Sequence, residues 1–289
     1  MKAKLSIKER LCFCTTRIDA KVDDKTMSHG TGFFFNLTID DQHYVQVIIT
    51  NKHMVQDKQE LTFYLSRKSE KGLPAFSSPI KLSMTKEDLA DCVFDHPDKD
   101  VDLCAIAVKP IIDKALENGI TPFYTPLINS FIPKEEQLEE LDAIEEVLMI
   151  GYPNALWDSS HNMPLIRKGI TATWPKLDYN DRREFLIDAA CVPGSSGSPV
   201  FICDIGMFYD KNHDDMALGN RLWLLGIQYA VPIKTIEGAI KKATLDKPDE
   251  DPEKNYVAMS HTFINLGFII KSSCILDLIP VIKAKVDSE

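Results

Sequence analysis

The chain has 289 residues, 44% hydrophobic and 26% charged, enough to bury a core that needs no disulfide or metal to hold it. Its 33 basic and 43 acidic side chains leave a formal net charge of −10. That balance argues against nucleic acid as the main partner and, more weakly, against an anionic membrane surface, while the absence of a run of about 20 apolar residues excludes a helical membrane span.

In chain order, the opening MKAKLSIKERLCFC carries positive charge but no apolar stretch of signal-peptide length, so no secretory signal is expected. Short apolar runs rich in β-branched and aromatic residues then predict strands near Arg10–Ala20, Gly32–Leu37, Tyr44–Thr50, Glu60–Leu65, Pro79–Met84 and Asp102–Val108. The stretch Ile120–Ala143 holds Pro122, Pro126 and Pro133 and then the acidic KEEQLEELD, and reads as a connection with a short solvated helix. A second series of strands follows near Glu146–Gly151, Ile166–Thr173, Phe185–Ala190, Pro199–Cys203, Leu222–Ala230 and Phe263–Ile270. Apolar spacing predicts a surface helix over Ile233–Lys242 and a C-terminal helix over Ser272–Val286, the latter kinked or weakened at Pro280. Asp210–Asp215 and Asp246–Asn255 read as polar surface loops. The expected fold is therefore all-β: two six-stranded antiparallel β-barrels over residues 1–125 and 146–289, joined by residues 126–145, with a C-terminal helix and few short surface helices.

Seven cysteines, an odd number lying mostly in apolar runs, suit reduced thiols in a cytoplasm. Cys12 and Cys14 share a strand face but have no second ligand pair, and the Asp210–Asp215 loop reads as hydrated, so no metal and no cofactor is expected.

Three local patterns carry chemistry. Pro193-Gly194-Ser195-Ser196-Gly197-Ser198-Pro199 joins two apolar strands, either as an ordinary Gly/Ser turn or as a loop that exposes a hydroxyl and turns successive N–H groups toward one point. His53 follows the strand ending at Thr50, and reads as structural unless a nucleophile elsewhere needs a base. Asp102 enters an apolar strand, where a carboxylate requires a hydrogen-bonding partner; orienting a histidine would supply one. Asp100 is the rival, but choosing it would push Asp102 into the apolar strand.

Taken together in the order His53, Asp102, Ser196, these patterns resemble the chymotrypsin-like (trypsin-like) serine proteases, and among them the bacterial HtrA type. Gly30-Thr31-Gly32-Phe33-Phe34, Thr50-Asn51-Lys52-His53, Asp102-Leu103-Cys104, Ile150-Gly151-Tyr152-Pro153, Lys168-Gly169-Ile170-Thr171, Asp188-Ala189-Ala190 with the Pro193–Pro199 loop, Gly226-Ile227 and Leu266-Gly267-Phe268 resemble that family's motifs in order. The resemblance implies Ser196 as nucleophile, His53 as general base and Asp102 as its orienting carboxylate. It implies an oxyanion hole over Gly194–Ser196, from the N–H groups of Gly194 and Ser196 with Ser195 between them. It implies a primary specificity pocket with Ala190 at its floor, and a peptide laid against Gln228, Tyr229 and Ala230.

Three departures qualify it. Ser195 stands where digestive relatives carry an Asp that pairs with a new N-terminus, so activation by that cleavage is not expected. Ala190 puts no carboxylate at the pocket floor, so the expected preference is for small or medium apolar side chains rather than Arg or Lys. The last helix ends near Val286, which leaves no room for the PDZ module of HtrA relatives. The insertions Asp204–Arg221 and Pro232–His261 are candidate partner-binding segments. The expected function is a cytoplasmic serine endopeptidase that performs limited, regulated cleavage of a protein or peptide substrate, with an activating protein partner. The alternatives are a binding module with a protease fold, or a protease active only within a complex.

Overall fold

A computed structural model describes residues 4–239 and 257–286. The chain opens with α1 (Ile7–Cys12), where a strand is expected from Arg10 onward. The reason is local: Ser6 and Glu9 form a capping box, Glu9 N–H donating to Ser6 Oγ at 3.2 Å and Ser6 N–H to Glu9 Oε2 at 2.6 Å. The strand starts only after that turn, as β1 (Thr15–Lys21).

Then follow β2 (Met27–Thr38), β3 (Tyr44–Thr50), β4 (Glu60–Lys68), β5 (Pro74–Thr85), α2 (Lys86–Cys92), β6 (Val93–Asp95), β7 (Cys104–Ala107), α3 (Lys109–Glu117), β8 (Pro122–Phe123) and β9 (Leu127–Ile128). They form one nine-stranded sheet along β5-β4-β1-β2-β3-β7-β6, with β8 on β4 and β9 on β2. This sheet does not close into the expected six-stranded barrel. A second capping box, Thr85 with Asp88, turns the chain into α2 between β5 and β6. Leu89 and Cys92 of α2 and Ile111 and Ile112 of α3 then fill the open side, in one buried cluster with Ile18, Phe34 and Phe63.

The connection carries α4 (Glu135–Glu139). After it, β10 (Glu146–Gly151), β11 (Leu165–Thr171), β12 (Glu184–Asp188), β13 (Pro199–Asp210) and β14 (Asp215–Ala230) combine with β17 (Leu266–Lys271) in a closed path, β10-β11-β12-β17-β14-β13. Between them, β15 (Ile233–Ala239) and β16 (Val257–Phe263) pair antiparallel as a separate ribbon. This corrects the helix expected over Ile233–Lys242. Residue-by-residue pairing with a distant segment outweighs a helical apolar spacing carried by β-branched residues. The rest of that expected helix and the Asp246–Asn255 loop lie outside the described residues. The β13–β14 hairpin is much longer than the strands expected there, and Ile205, Met207, Tyr209, Met216 and Leu218 are all exposed along it.

The chain ends in a 3-10 turn, Ser272–Asp277, and α5 (Leu278–Val286). Pro280 is the third residue of α5, in the first turn, where a missing N–H breaks no intrahelical bond, so it starts the helix rather than kinking it. Cys274, Ile275, Leu278 and Ile282 pack with Phe33, Phe35 and Ile49 of the first sheet and Phe201, Leu224 and Ile227 of the second. This shared core locks the two sheets together along the edge where β2 and β3 approach the Pro193–Pro199 loop. No helix among the described residues is long and apolar enough to cross a membrane.

Candidate active site

β3 ends at Thr50, and a 3-10 turn over Lys52–Met54 lifts His53 out of the sheet. Asp102 lies two residues before β7, which pairs antiparallel with β3, Thr50 opposite Cys104. That register carries the carboxylate to the imidazole: His53 Nδ1 is 2.5 Å from Asp102 Oδ2, and the His53 amide donates to Asp102 Oδ1 at 3.1 Å. Asn51 Nδ2 donates to the Asp102 carbonyl at 2.7 Å and fixes the backbone between them. Burial would raise the Asp102 pKa, but the hydrogen bonds and charge of His53, with backbone N–H groups, hold it below the usual aspartate value. Asp100 has a different place: its N–H donates to Asp98 Oδ1 at 2.9 Å within a turn.

Ser196 belongs to the loop that enters β13. The loop is sewn to the first sheet through Thr31 of β2. The Thr31 amide donates to the Ser196 carbonyl at 2.8 Å, and Ser198 Oγ donates to Thr31 Oγ1 at 3.2 Å. Gly197 has φ +82°, and a side chain there would run into the Thr31 carbonyl and the Thr50 hydroxyl, so only glycine allows the approach. The same Thr50 precedes His53 by three residues, which brings the loop into the neighbourhood of the histidine. The Ser196 hydroxyl donates to the Tyr229 carbonyl at 3.4 Å.

The loop amides divide into two sets. Ser195 N–H donates to Val192 O at 3.1 Å, Gly197 N–H to Gln228 O at 2.8 Å and Ser198 N–H to Ser195 O at 3.0 Å. The N–H groups of Gly194 and Ser196 donate to no acceptor among the described residues. Of the expected donors, Ser195 is thus engaged within the loop and its two neighbours remain available. Gly194, at φ +81°, is held against the Pro153–Ala155 turn, whose Asn154 N–H donates to Pro193 O at 2.9 Å.

Gln228, Tyr229 and Ala230 end β14 beside this loop, Gln228 N–H donating to Ser198 O at 3.0 Å and Gln228 Nε2 to Ala230 O at 3.0 Å. The Tyr229 hydroxyl donates to Glu184 Oε2 at 2.5 Å, and the phenol edges a cleft of about 190 Å³ that reaches Asp102 and is lined by Asp100, Asp181 and Arg182. Ala190 is exposed. Buried beside it is Cys191, whose sulfur lies against Gly267.

Sequence reasoning missed Thr31, Asn154 and Arg167. Arg167 Nη1 donates to Ala190 O at 2.8 Å and to Ser195 Oγ at 2.7 Å. Strand alternation on β11 puts Arg167 on the face of Gly169 and Thr171, but only the tertiary fold shows what that face meets. His96, Cys274 and Asp277 could together surround an ion, yet Arg183 already donates to Asp277 Oδ2 at 2.5 Å and supplies the positive charge there. In the Asp210–Asp215 turn, His213 Nδ1 pairs with Asp210 Oδ2 at 2.6 Å, and the carboxylate of Asp214 accepts from Tyr209.

Solved structures similar to this chain include a protease from M. tuberculosis in its active form (17% identity, covering 94% of this chain and 82% of that one, TM-score 0.46). They also include the serine endoprotease from Yersinia pestis (15% identity, 99% and 68%, TM-score 0.46). A thermostable serine protease from an extremophilic microorganism is a third (11% identity, 95% and 98%, TM-score 0.47). None of the curated proteins matches the sequence. The profile of the trypsin-like peptidase domain matches residues 30–206, more than half of the chain, a span that holds His53, Asp102 and Ser196, and the chain therefore belongs to the trypsin-like peptidase family.

Proposed function

We propose that this protein is a serine endopeptidase that cleaves peptide bonds through an acyl-enzyme formed on Ser196. The observation that carries the reading is the His53–Asp102 pair, together with a serine loop whose Gly194 and Ser196 N–H groups are unengaged among the described residues. In acylation, Ser196 Oγ turns from the Tyr229 carbonyl toward His53 and attacks the substrate carbonyl, its proton passing to Nε2. The oxygen of the tetrahedral intermediate takes hydrogen bonds from Gly194 and Ser196 N–H. His53 then gives the proton to the departing amine as the C–N bond breaks. Water, deprotonated by His53, hydrolyses the ester and restores Ser196. The substrate lies extended along Tyr229–Ala230, adding main-chain hydrogen bonds.

A gated form of the same activity is the second reading, favoured by the Ser196 hydroxyl bonding to Tyr229 O rather than to imidazole. An activating protein partner would then dock on the exposed apolar residues of the β13–β14 hairpin, and cleavage would be limited and regulated. The seven cysteines, six of them buried, suit a reducing, cytoplasmic setting.

A fluorophosphonate probe tests the reading. Wild type labels at Ser196, and Ser196→Ala and His53→Ala do not. A folded wild-type sample that stays unlabelled sinks the free-standing enzyme, and labelling that appears only with cell extract selects the gated form. In a peptide library, cleavage after small or medium apolar residues is expected. Dominance of Arg or Lys would refute the assignment of Ala190 to the specificity pocket.

A further inference from the structure

Arg167 is a half-buried cation with no carboxylate partner among the described residues. Its Nε and second terminal nitrogen are shut off from solvent and have no hydrogen-bond partner among the described residues. Burial draws its pKa below the ordinary arginine value, with the Cys191 thiol opposing. A desolvated, unpaired guanidinium is a costly way to fill space, and an apolar side chain of similar length would pack there at lower cost.

Its two hydrogen bonds explain where it is used. Both leave one nitrogen, to Ala190 O at 2.8 Å and Ser195 Oγ at 2.7 Å. Those acceptors flank Cys191–Gly194, so the guanidinium bridges the two ends of the segment that carries the Gly194 N–H. On the other side, Asn154 holds Pro193 O. The loop is thus held from within the second barrel by Arg167 and from outside by the Pro153–Ala155 turn. Asn154 and Ala155 both have positive φ, 48° and 58°, a backbone strain that the surrounding contacts must hold in place.

We infer that Arg167 is a positioning residue for the oxyanion-binding amides: a resident cation that ties Ala190 to Ser195 and holds Gly194 N–H and Ser196 N–H toward one point. The inference rests on the protease reading above. It gives a physical reason for a serine at position 195, because a neutral hydroxyl accepts from the guanidinium without needing a second charge in the interior.

The test measures fluorophosphonate labelling of the full chain at saturation, separating the limiting rate from the half-saturating concentration. Arg167→Met is expected to lower the limiting rate by roughly 10²-fold, the scale for losing one oxyanion donor, with little change in half-saturation. Arg167→Lys falls between, because an ammonium keeps the charge and can donate to both acceptors but lacks the fixed planar geometry of the guanidinium. Ser195→Ala slows labelling on its own but adds nothing in the Arg167→Met background, the coupling expected of one shared hydrogen bond. If Arg167→Met does not fold, Arg167→Lys and Ser195→Ala carry the same readout.

Labelling of Arg167→Met at the wild-type limiting rate overturns the inference and leaves the protease reading standing. So does an unchanged rate with a switched cleavage preference, which would make Arg167 a pocket residue. A folded wild type that stays unlabelled both alone and with cell extract removes the protease reading and this inference with it.

Discussion

The amide of Thr31, in the first sheet, donates to the carbonyl of Ser196, in the loop that enters the second, at 2.8 Å. The rest of Thr31 is equally committed. Its carbonyl accepts from Thr50 Oγ1 at 2.8 Å, and its hydroxyl oxygen accepts from Tyr152 N–H at 3.1 Å. One buried residue thus joins the strand end before His53, the segment before the Pro153–Ala155 turn and the serine loop. Thr31→Val keeps the shape and removes the hydroxyl, leaving a buried Tyr152 N–H without its acceptor. The expected loss is about 1–3 kcal/mol in urea unfolding, together with slower probe labelling, while Thr31→Ser retains both. Wild-type labelling by Thr31→Val would show that the hydroxyl is dispensable to the alignment of the two sheets.

Asp102 bonds both the ring and the amide of His53. Replacing it by Asn keeps the size but removes the charge and favours the wrong imidazole tautomer. Asp102→Asn is expected to reduce kcat by about 10⁴-fold with a small change in KM. A loss of less than tenfold would mean that Asp102 does not orient the base, and would return attention to the other carboxylates of the adjoining cleft.

Asp19 and Asp102 also set an acid limit on stability. Burial pushes Asp19 up, but hydrogen bonds from Tyr64, Arg17 and His29 more than offset it and hold its pKa below the usual value. The Tyr64 phenol is correspondingly pushed up, to about 12, first by burial and then by Asp19. Because both carboxyls have folded values below their unfolded ones, each stabilises the fold above about pH 4, and the gain is lost as pH falls through the lower folded value. The urea midpoint should drop between pH 6 and pH 3, and Asp19→Asn should start lower at pH 6 and drop less. An equal pH slope in that variant would exclude Asp19 as a contributor.

Arg221, at the base of the β13–β14 hairpin, is 7% exposed and bonds Glu145 at 3.1 and 2.8 Å and Asp204 at 2.7 Å. Arg221→Ala leaves the buried Glu145 charge uncompensated, for an expected loss of about 3–5 kcal/mol in denaturant unfolding. Probe labelling of the fraction still folded should be unchanged, since this network is formed by residues outside the serine loop. A loss below 1 kcal/mol would show that water reaches Glu145 in the absence of the arginine.

Some of this molecule is written in local pattern. The strands Tyr44–Thr50 and Glu146–Gly151 have the bounds expected from apolar runs, because β-branched residues between turn signals leave the backbone few other choices. His53, Asp102 and Ser196 stand out at the ends of strands, His53 after the strand that ends at Thr50, Asp102 before an apolar strand where a carboxylate needs a partner, and Ser196 in a Gly/Ser loop between two strands. Short-range signals that compete are harder to weigh. Capping boxes at Ser6 and Thr85 start the short helices α1 and α2, and α2 lies in the chain between β5 and β6, the two end strands of the open first sheet. What no local reading contains is which distant groups meet. The pairing of β15 with β16, the convergence on Thr31, the engagement of the Ser195 amide and the guanidinium of Arg167 beneath the loop all depend on contacts between residues far apart in the chain. Spacing along a strand says which face a side chain takes, and only the folded sheet says what lies against that face.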